Sequence, residues 1–214
     1  MWTPVARAPD LKSGKPLSAN YWGTRLVLWR KRDGSIGALR DACGHRGIPL
    51  SKGEVVDDTI RCGYHHYCFD AQGRCVKTPE MLKLDAGYRA SCKVRPFFVK
   101  EAWGLLWISG ESEIERPFPM PAEDVAYVSD ILPIMDSVKA RGSRFFDGRR
   151  YEVATALNRI GAGKAQMAVV IKIPKPLPGI LGAIERAMLK RRVIRVNIDA
   201  LQLATPLPRY LEAD

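Results

Sequence analysis

Histidine is scarce in this chain: there are three among 214 residues, and none after His66. Any centre built on several imidazoles is therefore excluded from the rest of the sequence. Long apolar runs are missing as well. The longest candidates, residues 26–29 and 167–171, stop at Arg30 and Lys172, far short of the roughly 18 residues a membrane span needs. The first residues carry Arg7 and Asp10 with no apolar core, so no secretory leader is expected. No two cysteines stand in a C-x₂₋₄-C knuckle, and their number, five, is odd. Without an export signal that count argues against a disulfide framework and for a reducing, cytoplasmic setting. Acidic residues are the minority, 23 Asp plus Glu against 34 Lys plus Arg, for a net charge of +11 and a pI near 9.6. The remainder is ordinary: 46% hydrophobic and 27% charged residues, the composition of a globular protein large enough to bury its own core.

The pattern along the chain predicts an α+β fold in two parts, residues 1–115 and 116–214. In the first part, short apolar segments alternate with turn signals. Residues 25–30 (RLVLWR) lead through Asp33-Gly34 to residues 36–39, a hairpin signature. Residues 55–60, 67–69 and 75–76 read as further strands, with DAQG (70–73) as a turn. Residues 96–99 and 103–108 read as a last pair joined through 100–102. Together these make a small antiparallel all-β domain. Prolines at 117, 119 and 121 mark a linker. Beyond it come a hairpin candidate at 145–155, a strand at 166–173, a PKPLPG break and a helix from 180 to about 202. Ile180, Ile184, Ala187, Met188, Leu189 and Val193 supply that helix with an apolar stripe.

The three histidines share a 22-residue window, and Cys43, Cys62 and Cys68 lie in or beside it. Cys43-Gly44-His45 is followed by sixteen residues and then Cys62-Gly63-Tyr64-His65. Each half offers one thiolate and one imidazole, and glycines at 44, 47, 53 and 63 allow tight loops. In a near-extended segment residues two apart point the same way, so Cys43 and His45 can serve one site. From the residues alone, a Cys₂His₂ zinc site and an iron–sulfur centre both remain open.

The segments DACGHRGIPL (41–50) with Ser51, and RCGYHHYCFDAQGRCV (61–76), resemble the Rieske family, and within it the aromatic-ring-hydroxylating oxygenases and oxidative demethylases. The ligand loops of that group usually read CPHRGAPLS and CPYHGW. This chain departs at Gly44, Gly63, His66 and Tyr67. The resemblance implies a 2Fe–2S cluster with Cys43 and Cys62 on one iron and His45 and His65 on the other. His66 reads as a neighbour pointing away from the site. Cys68, Cys75 and Cys92 read as packed thiols, and Trp103 and Trp107 as core. The segment from 145 to 202 and the ending LPRYLEAD resemble a shortened version of the oxygenase catalytic domain.

Such an oxygenase activates O₂ at a mononuclear Fe(II) held by two histidines and a carboxylate. No histidine remains for that triad here, so neither a mononuclear iron nor oxygen activation by this polypeptide alone is expected. Residues 139–195 hold fourteen Lys plus Arg against Asp147, Glu152 and Glu185, a surplus equal to the whole net charge. That stretch suits an acidic ferredoxin or reductase. No nucleic-acid motif accompanies it, whereas the basic flank of residues 186–195 also allows peripheral contact with an anionic membrane. Three functions follow. The first is an electron carrier between a ferredoxin or reductase and a partner oxygenase chain. The second is an oligomeric hydroxylase or demethylase subunit whose active site another chain completes. The third is a redox-sensing, ligand-binding protein.

Overall fold

A computed structural model describes residues 2–79, 86–111, 126–135, 152–161, 164–173 and 177–195. The chain is built on antiparallel sheets. Strands β1 (Thr3–Arg7), β2 (Leu17–Tyr21), β3 (Thr24–Arg30) and β4 (Ile36–Arg40) come first, followed by β5 (Glu54–Val56), β6 (Thr59–Arg61), β7 (Cys68–Phe69) and β8 (Cys75–Lys77). A short helix, α1 (Ala86–Ser91), leads to β9 (Phe98–Ala102) and β10 (Leu105–Ser109). The sheet orders are β2-β3-β4, β5-β6-β7-β8 and β1-β10-β9. Because β1 pairs with β10, the first and last strands of this region close on each other.

Strand β3 explains where the core lies. Leu26, Val27, Leu28 and Trp29 are all fully buried, which a strand achieves only when both of its faces are covered. Val27 and Trp29 join Leu39, Leu50, Ile60, Tyr67, Phe69 and the cysteines 43, 62, 75 and 92 in one cluster. Leu26 and Leu28 point the other way, into a second cluster with Val5, Phe97, Leu106 and Ile108. Period-two alternation thus divides one strand between two cores, and the first of them underlies the cysteine–histidine loops.

The turns depart in detail from expectation. Residues 55–60 are not one strand, because Asp57 and Asp58 both take left-handed φ angles, 46° and 63°, and fold β5 onto β6. The last hairpin turns at Trp103 and Gly104, φ 51° and 69°, and not at residues 100–102. Two successive positive φ angles match the right-handed twist of paired strands.

A second sheet, ordered β11-β13-β12, is formed by β11 (Ala126–Met135), β12 (Glu152–Gly161) and β13 (Lys164–Ile173). It packs on the first region through Ala168 and Val170 against Trp2, Leu105 and Trp107. Asn158 bolts the contact. Its buried amide accepts from the Trp22 N–H at 3.1 Å and donates to the Asn20 carbonyl at 2.8 Å. Helix α2 (Gly179–Arg195) lies against β11. Its orientation keeps Leu189 of the expected packing stripe and overturns the part played by Ile180, Ile184 and Met188. Gly182 and Leu189 are buried, whereas Ile180, Ile184 and Met188 are exposed together with Leu181. The helix rests on the Gly182–Leu189 side, which turns the Ile180–Ile184–Met188 ridge outward. The proline linker at 117–121, the first residues of the 145–155 hairpin, the helix beyond Arg195 and the LPRYLEAD ending lie outside the described residues.

Candidate metal centre

Two loops, built alike, carry the four candidate ligands. In the first, the Cys43 N–H donates to the Ile48 carbonyl and the Gly47 N–H to the Cys43 carbonyl, both at 2.8 Å. In the second, the Cys62 N–H donates to the Tyr67 carbonyl at 2.9 Å and the His66 N–H to the Cys62 carbonyl at 3.1 Å. The spacings are identical, five residues and four. In each loop the fourth residue after the cysteine has a left-handed φ, 72° at Gly47 and 58° at His66. His66 is therefore not the outward half of an alternating strand but the turn residue of a loop, and it is exposed. Histidine tolerates this region at a cost of about 1 kcal/mol that glycine does not bear. His66→Gly is expected to raise stability in urea unfolding by about 0.5 kcal/mol, the relieved strain being partly offset by a freer unfolded chain.

Close backbone approach explains two more departures from the usual loop pattern. A Cβ on Gly44 would stand 3.0 Å from the Lys93 carbonyl oxygen, and one on Gly63 would stand 3.1 Å from the Lys52 carbonyl oxygen. Each loop is thus pressed against a neighbouring segment at the residue after its cysteine. The ends of the first loop are pinned by Asp41, whose side chain is fully buried. It accepts from the Ser51 N–H at 2.7 Å, the Ser51 hydroxyl at 2.8 Å and Arg25 at 2.9 Å. Asp41→Ala leaves all three of these donors without their acceptor. It is expected to cost about 2 kcal/mol and to accelerate loss of bound metal to a chelator.

The four side chains divide into two pairs. Cys43 and Cys62 are buried, 5% and 2% exposed, and their thiols are electrostatically coupled. His45 and His65 are half-buried on the outer side, with their Nδ1 atoms 3.2 Å apart. Burial pushes the Cys43 thiol up to about 11, and the adjacent Cys62 adds to the effect. The His45 imidazole is held below its usual range by partial burial, then by the charges of His65 and Arg46. The histidine shift favours the neutral imidazole that a metal takes, while the thiols release their protons when metal binds.

Residues 1–90 match the family model described as the Rieske [2Fe-2S] domain. This segment is a Rieske domain. Such a domain implies a 2Fe–2S cluster. Over 84% of its length the chain is 31% identical to the oxygenase component of dicamba O-demethylase from Stenotrophomonas maltophilia. It is 33% identical over half its length to the 3-chlorobenzoate-3,4-dioxygenase oxygenase subunit of Comamonas testosteroni. In these alignments it spans 57% of the first relative and 25% of the second. Among solved structures, dicamba monooxygenase bound to dicamba superposes with a TM-score of 0.65 over 91% of this chain and 88% of that one, at 18% identity. A Pseudomonas putida CBB5 NdmA variant with theobromine gives 0.66 over 97% and 83%, at 16% identity. At such identities the likeness is one of fold.

Around the Rieske loops the remaining cysteines are buried, and none of the chain's five is in a disulfide. Trp107 is buried and meets the partly buried Trp103 edge-on at 5.5 Å. In the sequence Tyr67 stood out only as a strand residue and a departure from the usual loop, and Asp41, Tyr88 and Asn158 were not singled out. Asp41 was legible as the acid that opens DACGH. Neither Asn158 nor Tyr88 carries a signal of spacing, since the Trp22 partner of Asn158 lies far along the chain and Tyr88 itself stands in a six-residue helix. Among the described residues, no helix is long and apolar enough to cross a membrane.

Proposed function

We propose that Cys43 and Cys62 hold the inner iron, and His45 and His65 the outer iron, of a Rieske-type 2Fe–2S cluster. We further propose that the chain carries single electrons to a partner oxygenase centre. The paired geometry supports this reading. Two donors about 2.1 Å from one tetrahedral ion stand about 3.4 Å apart, and the two imidazole nitrogens stand 3.2 Å apart. A lone zinc ion would require all four donors around one point. Among the described residues no group of three or more His, Cys, Asp or Glu side chains is so gathered. When bound, the cluster supplies one-electron chemistry at roughly −150 to +300 mV.

The chain's own residues set the conditions. Trp29, Leu50, Ile60 and Phe69 keep water from the cysteine side. His45 and His65 form the edge nearest solvent and hence the exit for an electron. The division at 115/116 and the absence of a mononuclear iron belong to this proposal, as does a cytoplasmic site for the five unpaired thiols. The positive surplus of residues 139–195 suits an acidic ferredoxin or reductase as donor. A second reading is favoured by relatives named as oxygenase components: the chain is an oxygenase subunit whose active site another chain completes. Anaerobic mixing with reduced plant-type ferredoxin separates success from failure. The expected result is uptake of one electron per chain, at a rate that falls as salt is raised. Absence of reduction would contradict the carrier role. Hydroxylated or demethylated product formed with no other oxygenase protein would replace it with an enzymatic one.

A further inference from the structure

Tyr67 is 1% exposed, although it stands only three residues from Tyr64, which is 57% exposed at the tip of the same loop. Its ring lies against that of His45, with centroids 4.7 Å apart and planes inclined by 28°. A buried phenol needs a partner for its hydroxyl. Tyr88 of α1 interacts through its hydroxyl with that of Tyr67 and with the Cys92 thiol. Among the described residues no buried side-chain nitrogen or oxygen lacks a partner. The Tyr67 carbonyl also accepts the Cys62 N–H at 2.9 Å.

One residue therefore touches both ligand loops. Its backbone closes the loop of Cys62 and His65, and its ring lies on the histidine of the other. The far end of the contact is anchored too. The backbone of Cys92 and Lys93, immediately beyond α1, presses on the first loop at Gly44.

We infer that Tyr67 and Tyr88 form a two-phenol brace that fixes the plane of the His45 imidazole and thereby sets the redox behaviour of the centre. The inference rests on the ligand assignment proposed above. Neither tyrosine is a ligand, so both are positioning residues. An imidazole stacked on a tethered ring cannot turn freely about its Cβ–Cγ bond. Groups that orient a ligating histidine also tune the metal it holds. Phenylalanine at position 67 keeps the stacked ring and removes the tether. Phenylalanine at position 88 removes the tether from the other end and leaves Tyr67 intact.

Both variants, and the double variant, are to be compared with wild type by iron content, EPR of the reduced protein, redox titration and iron release to a chelator. Tyr88 is 37% exposed, so Tyr88→Phe tests the inference even if Tyr67→Phe folds poorly. The expected single variants keep two irons per chain. They shift the EPR g values and the potential in the same direction and release iron about fivefold faster, the equivalent of one ordinary hydrogen bond. The double variant goes no further than either single one, because the two hydroxyls act as one contact. Wild-type protein lacking iron would overturn the ligand assignment itself. Two irons with unchanged potential and g values in both single variants, or shifts that add in the double variant, would overturn the brace alone.

Discussion

Cys62→Ser protein is expected to purify without colour and with little iron, and to melt at a lower temperature than wild type. The two effects have separate causes. In the proposed ligation, loss of the thiolate removes one of two sulfur donors to the inner iron, and metal affinity that is coupled to folding is lost with it. The serine hydroxyl also enters a core position that is 2% exposed, where an unpartnered polar group costs about 1–3 kcal/mol. In a domain of this size that corresponds to about 2–4 °C per kcal/mol. Cys68→Ser is the control. Cys68 is as well buried, 4% exposed, and burial holds its thiol above the usual range, as for Cys43. Its substitution is expected to lower the melting temperature by a similar amount while iron and colour are kept. Equal loss of iron in the two variants would show that core packing, and not ligation, retains the metal.

His65→Cys is expected to keep two irons per chain and to lower the reduction potential by a few hundred millivolts, towards the value near −400 mV of all-cysteine clusters. With two thiolates and two neutral imidazoles, the oxidised centre has no net formal charge. A third thiolate makes it negative and opposes the added electron. His66→Gly, one residue further on, is expected to leave the potential where it is, because His66 contributes a turn and not a donor. A titration of the three proteins side by side checks this. An unchanged potential in His65→Cys would remove His65 from the ligand set.

The four candidate ligands were legible because their spacing is set by chemistry that is local in sequence. C-x-H and C-x-x-H each sit on one short loop, and each loop closes on its own backbone. Strand β3 was legible for a similar reason, since a run such as LVLW is buried wherever it lies. Strand β11 escaped because it holds Asp130 and Pro133. Both are tolerated there because β11 is an edge strand of its sheet, where a residue without an N–H breaks no ladder. Strand β1 contains Pro4 and a bulge between Pro4 and Ala6, again at an edge. The six residues of α1 are too few to show a helical period. Helix α2 misled in a different way. Its apolar stripe is real in sequence, but the sheet takes the Gly182 and Leu189 side, and only tertiary packing decides between two faces. The contacts that brace the centre, from Asp41 to Ser51 and from Tyr67 to Tyr88, join residues ten or more apart and became visible only in the fold.

Anaerobically purified protein, analysed for iron, sulfide and zinc and then reduced for low-temperature EPR, decides whether the two loops hold a 2Fe–2S cluster. The expected result is about two irons and two sulfides per chain, no stoichiometric zinc, and a Rieske-type signal from a cluster with mixed nitrogen and sulfur ligation. Colourless protein with one zinc per chain would contradict it and would leave Cys43, His45, Cys62 and His65 as a structural site. A third iron per chain would retain the cluster but overturn the view that the chain needs a partner to act on oxygen.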